Sequence, residues 1–290
     1  MAPYKNQHFV PCCYLKFFSV DGTWPDARKA RVWFTDGSKS ICVPVSSVGV
    51  EKYTYSKENP EFDRQFHNME QHYPQIIEKI LGGERRFNRF DYYGLIMIMV
   101  DFNLRNIAYE NRSEVERMHV YEAMSRAFIG DMFAEAPGHG SDKPEMLKWL
   151  EANWDMQIFS PETSETFITS DNPSIIFTEP KTERPMMILL PIHPKCAIVA
   201  YDKRGVTPSG NTVSDADLSV FNGLQINMSV QHIFSNIDMK TEPDNWEKLQ
   251  AIVEKEKPQR YVDGEKWQTG FFSMASPLFD KFTCMKKVEE

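Results

Sequence analysis

One histidine stands in the most unusual local string of the sequence, Gln7-His8-Phe9-Val10-Pro11. A histidine that is flanked by a glutamine and apolar residues, and followed by a proline, can serve as a general base or as a metal ligand. A core histidine that donates to a backbone carbonyl has the same local sequence, and on chemistry alone it is the commoner case. His8 is therefore a candidate catalytic residue and Gln7 a candidate binding residue, with a structural core histidine as the alternative.

A second polar string, Thr169-Ser170-Asp171-Asn172-Pro173, follows a run that is predicted to be a strand. Short polar side chains at a strand end can hold a carboxylate at the edge of a sheet, where sites often form. An Asx-turn explains the same string, because Asp and Asn hydrogen-bond their own backbone and proline continues the turn. Both interpretations stay open, with Asp171 as a candidate catalytic residue and Asn172 as a candidate binding residue.

Glu70 stands among apolar positions of a predicted helix, so its side chain is expected near the core boundary. A carboxylate there needs a cationic partner, and Arg105 on the next predicted helix is the natural candidate. His67 and Glu70 share a helix face, whereas His72 does not, so these residues do not form the zinc motif His-Glu-x-x-His.

Other catalytic signatures are missing from the sequence. It contains no glycine-rich phosphate loop, no Gly-x-Ser-x-Gly elbow and no Cys/His nucleophile signature. The five cysteines include no Cys-x-x-Cys pair, which argues against a disulfide framework and against a thiolate zinc site. Cys12 and Cys13 are adjacent, and small buried hydrophobes are favoured over a redox-active pair.

Hydrophobic periodicity divides most of the chain into three parts. Residues 8–50 favour β-structure, with a hairpin between the runs 29–34 and 41–43. From Asn59 to about Trp154, apolar residues recur at three- and four-residue steps, which predicts a series of helices. After Asp155, short β-rich runs separated by prolines predict an antiparallel or mixed sheet.

The order of these parts predicts one α+β domain over residues 1–240, with a helical insertion at about 59–154 between two β parts that form a mixed or antiparallel sheet. A capped helix is expected from Ser214 to about Gln231. Residues 241–290 are expected to pack on this domain, as a polar helix over 242–256 and a mostly irregular tail from Lys257.

Composition narrows the functional classes. The chain of 290 residues has 33 Lys and Arg against 41 Asp and Glu, a net charge of −8, which disfavours broad binding to a nucleic-acid backbone. The longest apolar run, 95–100, is far shorter than the roughly 20 residues of a membrane span. With no signal-peptide pattern at its start, the sequence predicts a soluble, cytoplasmic protein that does not bind membranes.

The two polar strings resemble those of a large uncharacterised family, a domain of unknown function found widely in bacteria and also in fungi. Its members typically carry His-Phe-Val-Pro-x-x-Tyr-Leu and a late Phe-Ile-Thr-Ser-Asp-Asn-Pro, which here are residues 8–15 and 167–173. The resemblance spans about residues 7–235. The chain departs from it at Cys12 and Cys13, where members usually carry a polar and an aromatic residue.

The resemblance also links polar residues from separate segments. A helical glutamate, an arginine-asparagine pair and an asparagine in a later helix are typical of the family, and they match Glu70, Arg105-Asn106 and Asn222. Convergence of such residues in one pocket is typical of a catalytic or nucleotide-binding site. The alternative is a buried polar network that docks the helices on the sheet.

We therefore expect a hydrolase-like intracellular effector of the kind found in bacterial defence and toxin systems, acting on nucleic acid or a nucleotide. In this hypothesis His8 is the general base or a ligand, Glu70 or Asp171 orients it or holds a divalent metal, and Arg105 neutralises a phosphate. Polar binding contacts are assigned to Gln7, Asn106, Asn172 and Asn222. The alternative is a non-catalytic sensor or protein-partner-binding module with a structural cluster.

Overall fold

The structure is a computed structural model that describes residues 6–8, 10–22, 26, 29–35, 39–52, 60–85, 87–107, 114–132, 135–136, 143–229, 232–240, 259–262, 265–268 and 270–288. Six α-helices lie within these residues: Cys12–Leu15 (α1), Pro60–Leu81 (α2), Arg89–Ile107 (α3), Glu114–Met132 (α4), Lys143–Asn153 (α5) and Asp215–Met228 (α6). No helix among them is both long enough and apolar enough to cross a bilayer.

The same residues form sixteen strands, most of them short. They are Asn6–His8 (β1), Arg31–Thr35 (β2), Ser40–Pro44 (β3), Val50–Lys52 (β4), Trp154–Pro161 (β5), Thr169–Ser170 (β6), Ile175–Thr178 (β7), Pro185–His193 (β8), Cys196–Asp202 (β9), Val206–Pro208 (β10), Thr212–Val213 (β11), Ile233–Ser235 (β12), Gln259–Val262 (β13), Glu265–Gln268 (β14), Phe271–Ser273 (β15) and Met285–Lys287 (β16).

A six-stranded sheet in the order β11-β5-β9-β8-β7-β15 forms the centre of the fold. Its two outer pairs, β11–β5 and β7–β15, are parallel, and the pairs between them are antiparallel. A four-stranded antiparallel sheet follows the order β3-β2-β12-β6, so the predicted hairpin is paired there with strands from the C-terminal half. These features confirm the predicted α+β class with a mixed sheet.

Both faces of the six-stranded sheet are covered by other elements. Successive residues of a strand point to opposite sides, so alternate residues of β8 pack on different faces. In β8, Ile188 and Leu190 pack with the helical residues of α2, α3 and α4. Their neighbours Met187 and Leu189 pack with α6 and the C-terminal segment. The resulting near-continuous apolar run is what a strand buried on both faces requires.

The helices predicted between Asn59 and Trp154 are present as α2 to α5. Helix α3 packs against α2, α4 and β8. Pro74 lies inside α2, and the helix of 22 residues runs unbroken through this proline. The packing of α2 on the core therefore outweighs the lost backbone hydrogen bond.

Two predictions of secondary structure are wrong. Residues 12–18, included in the predicted β region, form α1 and a 3-10 turn over Lys16–Phe18. Pro11 begins this helical turn with an extended backbone, φ −61° and ψ 138°, and Tyr14, Leu15, Phe17 and Phe18 bury their side chains from it.

The tail from Lys257 is not mostly irregular. Strand β15 extends the central sheet beside β7, and β16 pairs with β10. Three-residue strands are too short to show an alternating pattern in the sequence, which is why they were not predicted. The polar helix predicted over 242–256 lies outside the described residues.

One buried carboxylate joins the C-terminal segment to α6. Asp217 is 1% exposed and accepts hydrogen bonds from the Thr283 amide at 2.6 Å, the Thr283 hydroxyl at 2.7 Å, the Cys284 amide at 3.2 Å and the Ser214 hydroxyl at 2.8 Å. Burial by itself raises the pKa of Asp217, but these hydrogen bonds outweigh it, so the pKa lies below the usual 3.8. Asp217 therefore stabilises the fold in its ionised form.

We expect Asp217→Asn to lower the free energy of unfolding at pH 7 by about 2–3 kcal/mol, because charged acceptors form stronger hydrogen bonds than neutral ones. A depressed pKa contributes stability that is complete above pH 3.8 and is lost as the pH falls through the folded-state value. Urea unfolding measures the loss. Asp215→Asn, an exposed change in the same helical turn, is the control and should cost under about 1 kcal/mol; equal losses would contradict this account.

Candidate functional site

His8 is placed by a short antiparallel pairing between β1 and β4, in which it lies opposite Val50. The chain then returns close to itself, with the Val10 amide donating to the Gly49 carbonyl at 3.3 Å. Gly49 has a φ of +63°, and a Cβ atom there would lie 2.9 Å from the Val10 carbonyl oxygen. A glycine is therefore required at position 49 for the backbone to approach Val10, two residues after His8, in this way.

The helical turn after His8 is anchored by a buried tyrosine. The Tyr14 hydroxyl donates to the Pro191 carbonyl at 2.6 Å and, having used its only proton, accepts from the Thr169 hydroxyl at 2.6 Å. Pro191 belongs to β8 and Thr169 to β6. Tyr14 thus ties α1 to both main sheets, which fixes the position of Cys12 at the start of that helix.

The imidazole of His8 is half-buried, and its Nε2 atom lies 2.9 Å from the Cys12 sulfur. The backbone of Ser46 favours the protonated imidazole, as a carbonyl that accepts from the ring does. Since Nε2 faces the thiol, we assign this hydrogen bond to Nδ1. Burial lowers the pKa of His8 below its usual 6.5, and the Arg105 charge lowers it further, against the opposing effects of Glu70 and the Ser46 carbonyl. His8 is therefore neutral at pH 7.

Arg105, Glu70 and Asp101 form an ion-paired group beside His8. The Arg105 guanidinium is wholly buried; its Nη1 donates to Glu70 Oε1 at 2.7 Å and its Nε to Asp101 Oδ2 at 2.6 Å. The ion pair predicted between Glu70 and Arg105 is thus confirmed. The Asp101 side chain is 5% exposed and that of Glu70 is 30% exposed, so the group reaches solvent on the Glu70 side.

Asp171 and Asn172 belong to a second, more buried network. Asp171 is 1% exposed; its Oδ2 accepts from the His232 amide at 3.0 Å, and its own amide donates to the His232 carbonyl. The backbone amide of Asn172 donates to the Ser170 hydroxyl at 3.1 Å, and that hydroxyl donates to Gln225 Oε1 at 2.8 Å. These contacts join the string after β6 to α6 and to the segment before β12.

Asn222 satisfies the backbone of the strand-like segment before β6. Its Oδ1 accepts from the Ile168 amide at 3.0 Å, and its Nδ2 donates to the Thr166 carbonyl at 2.9 Å. Gln225, one helical turn further on, donates to the Pro173 carbonyl at 2.8 Å. The two amide side chains therefore hydrogen-bond the backbone on either side of β6, at residues 166–168 and at Pro173.

The structure thus brings His8, Glu70 and Arg105 together, while the described contacts of Asp171, Asn172 and Asn222 run within the second network. Gln7 lies in β1 and Asn106 in α3, but their side chains are outside the described part of the structure. Within that part, no three His, Cys, Asp or Glu side chains are grouped so that they could hold a metal ion. The divalent metal considered from the sequence therefore has no ligand set among them.

Sequence reasoning missed two members of the His8 group. Asp101 stands four residues before Arg105, a spacing that places an acid and a base on one helix face, so this pair was detectable. Cys12 also stands four residues after His8, but the intervening segment was assigned to β-structure. Only the helical turn that begins at Pro11 brings the thiol back to the imidazole.

We expect Arg105→Met to lower the free energy of unfolding by about 3–5 kcal/mol, because it leaves the buried Asp101 carboxylate without its cation. Glu70→Gln is the matched comparison: this side chain is partly exposed, so its loss should cost about 1 kcal/mol or less. Urea unfolding of both variants at pH 7 gives the comparison. A Glu70 loss as large as that of Arg105 would contradict the burial argument.

Replacement of Asn222 by alanine leaves the Ile168 amide and the Thr166 carbonyl without their side-chain partner in the core. The expected cost is about 1–3 kcal/mol, measured by thermal or urea unfolding. Ser219→Ala serves as control on the same helix, since that exposed hydroxyl donates to the Asp215 carbonyl one turn earlier. A cost below that of the control would show that water replaces the amide readily.

Comparison with known proteins gives one match. The family model described as a protein of unknown function, DUF4238, matches residues 6–140 and 146–239. Neither the curated proteins nor the solved structures contain a match to this chain. The matched residues include His8, Glu70, Arg105, Asp171 and Asn222, and they cover most of the sequence. The chain therefore belongs to the DUF4238 family of proteins of unknown function.

Proposed function

We propose that this protein is a hydrolase in which His8 is the general base. The observation that carries the proposal is the arrangement of His8: its imidazole is neutral at pH 7, half-buried, and held by a backbone carbonyl while Nε2 faces a proton donor at 2.9 Å. A neutral imidazole that is oriented through one nitrogen and accepts through the other is the form in which histidine removes a proton.

Glu70 is the residue that assists His8 in this proposal. Its carboxylate lies near enough to favour the protonated imidazole, so it stabilises the imidazolium that forms when His8 accepts a proton. Arg105 is a positioning residue, because it holds Glu70 by an ion pair and is itself wholly buried. Asp171, which hydrogen-bonds the His232 backbone, is given no catalytic role in this proposal.

The charges of the group favour an uncharged reacting bond in the substrate. Arg105 brings one positive charge, whereas Asp101 and Glu70 bring two negative ones, so the balance beside neutral His8 is negative. An ester or amide carbonyl suits this environment better than a phosphate does. A nucleotide or nucleic acid would need other residues to bind its phosphates.

A second candidate function rests on the buried network around Asp171 and Asn222. Asp171, Asn172 and Asn222 are buried, and their hydrogen bonds run largely to backbone groups, which is typical of a structural network. If His8 serves structure as well, the protein is a sensor or partner-binding module. In that case loss of the His8 side chain lowers the stability of the protein, and there is no catalytic activity for it to change.

The test is hydrolysis of a panel of nitrophenyl esters, aryl amides and nucleotides by wild type, His8→Gln and the control His72→Gln, an exposed histidine of α2. We expect His8→Gln to lose about 10²-fold or more in kcat/KM at unchanged melting temperature, and the control to lose nothing. The kcat/KM of the wild type should fall only below pH 6.5, because a general base must be unprotonated and the pKa of His8 lies below its usual 6.5.

Two results would contradict the hydrolase. One is the absence of turnover across the panel; the other is turnover that His8→Gln leaves intact. A His8→Gln variant that melts far below wild type, with no substrate turned over by either, would favour the partner-binding module.

A further inference from the structure

The Cys12 side chain lies within hydrogen-bond distance of the basic nitrogen of His8. Its sulfur lies 2.9 Å from Nε2, and its other contact, to the Val45 carbonyl, is longer at 3.5 Å. His8 closes strand β1 and Cys12 opens α1, so the two lie on separately anchored elements. Both residues are only partly buried, as is Glu70, so the pair lies at the edge of the core.

We propose that Cys12 is the nucleophile of the hydrolase, attacking a carbonyl carbon while His8 accepts the thiol proton. The proposal rests on the hydrolase function argued above and adds its reaction class, which is acyl transfer to sulfur from an ester or amide. The arrangement meets the geometric requirement for an activated nucleophile: a base within hydrogen-bond distance, itself oriented by a third group. That third group is the Ser46 carbonyl on Nδ1, with Glu70 nearby.

The steps balance as an ordinary hydrolysis. Sulfur forms a bond to the carbonyl carbon as the S–H proton passes to His8 Nε2; the alcohol or amine then leaves, taking that proton from the imidazolium. Water next attacks the resulting thioester, gives one proton to His8 and releases the carboxylic acid. The Cys12 sulfur leaves as thiolate and regains the proton from His8.

The surrounding charges decide which form the pair takes at rest. Burial and the Glu70 carboxylate raise the pKa of Cys12 to about 11, and His8 is neutral, so the resting pair is thiol and imidazole. Among the described residues, the Arg105 charge also acts on His8, and Cys13 lies next to Cys12 with a pKa that burial raises strongly. The thiol therefore loses its proton during attack, as a serine hydroxyl does, and is not stored as a thiolate.

The contact with His8 distinguishes Cys12 from the other cysteines. Cys196 and Cys284 are buried, and Cys42 is partly exposed on β3. In the part of the chain that the structure describes, the sulfur of Cys12 lies 2.9 Å from a histidine nitrogen. Cys42→Ala is therefore a matched control, because it removes an accessible thiol outside the His8 group.

The experiment mixes the full chain with excess 4-nitrophenyl acetate, follows nitrophenolate release and maps the acetylated residue by peptide mass after acid quench. We expect wild type and Cys42→Ala to show a burst of one nitrophenolate per chain with acetyl on Cys12. Cys12→Ser and His8→Gln should each lose the burst at least tenfold while keeping the wild-type melting temperature.

The outcomes separate the two proposals. Steady hydrolysis that survives in Cys12→Ser but is lost in His8→Gln overturns the nucleophile and leaves the hydrolase standing, with water activated directly. Acetylation of Cys12 at the wild-type rate in His8→Gln overturns the role of His8 as its base. An absence of acetyl on Cys12 in the wild type also overturns the proposal.

A second measurement covers the case in which a Cys12 or His8 variant fails to fold. Alkylation of Cys12 by iodoacetamide at pH 8 should be several-fold faster in Glu70→Gln than in wild type, because the carboxylate that raises the thiol pKa is gone. Alkylation of Cys42 should not change. An unchanged Cys12 rate would show that Glu70 does not act on the thiol, against the proposed site.

Discussion

The Arg105 guanidinium is wholly buried, and it remains charged there because two carboxylates accept hydrogen bonds from its N–H groups. One of them, Asp101, lies on the same helix, whereas Glu70 comes from α2. This ion pair fixes the face that α2 turns toward α3, and through Glu70 it sets the electrostatic environment of His8 and Cys12. The rest of the candidate site depends on it, since neither α1 nor β1 carries a charge that could do the same.

The polar residues of the candidate site fall into two groups that differ in exposure. In the first group His8, Cys12 and Glu70 are partly exposed, although Arg105 and Asp101 are buried, and burial and neighbouring charges shift the pKa values of His8 and Cys12. Around Asp171 and Asn222 the side chains are buried and bonded to backbone amides and carbonyls. Shifted titration with access to solvent is typical of chemical sites, whereas buried, paired amides are typical of scaffolds.

Much of the fold was predictable because the signals are local. The apolar spacing of α2 to α4, the Ser214 cap of α6 and the hairpin of β2 and β3 all depend on residues within a few positions of one another. The failures also have a local cause. Strand β15 is three residues long, and the turn of α1 is four, so neither shows a full period in the sequence.

For the site, the sequence indicated through its family resemblance that His8, Glu70, Arg105, Asp171 and Asn222 form one set, and by itself it determined that Glu70 needs a cation such as Arg105. Only the tertiary structure decided that the described contacts divide this set into two networks, and that Cys12 faces His8. The physical reason is that burial and partnership come from elements far apart in the chain: Tyr14 bonds to Thr169 and Pro191, and Arg105 to Glu70. Side-chain spacing within one element carries no information about such contacts.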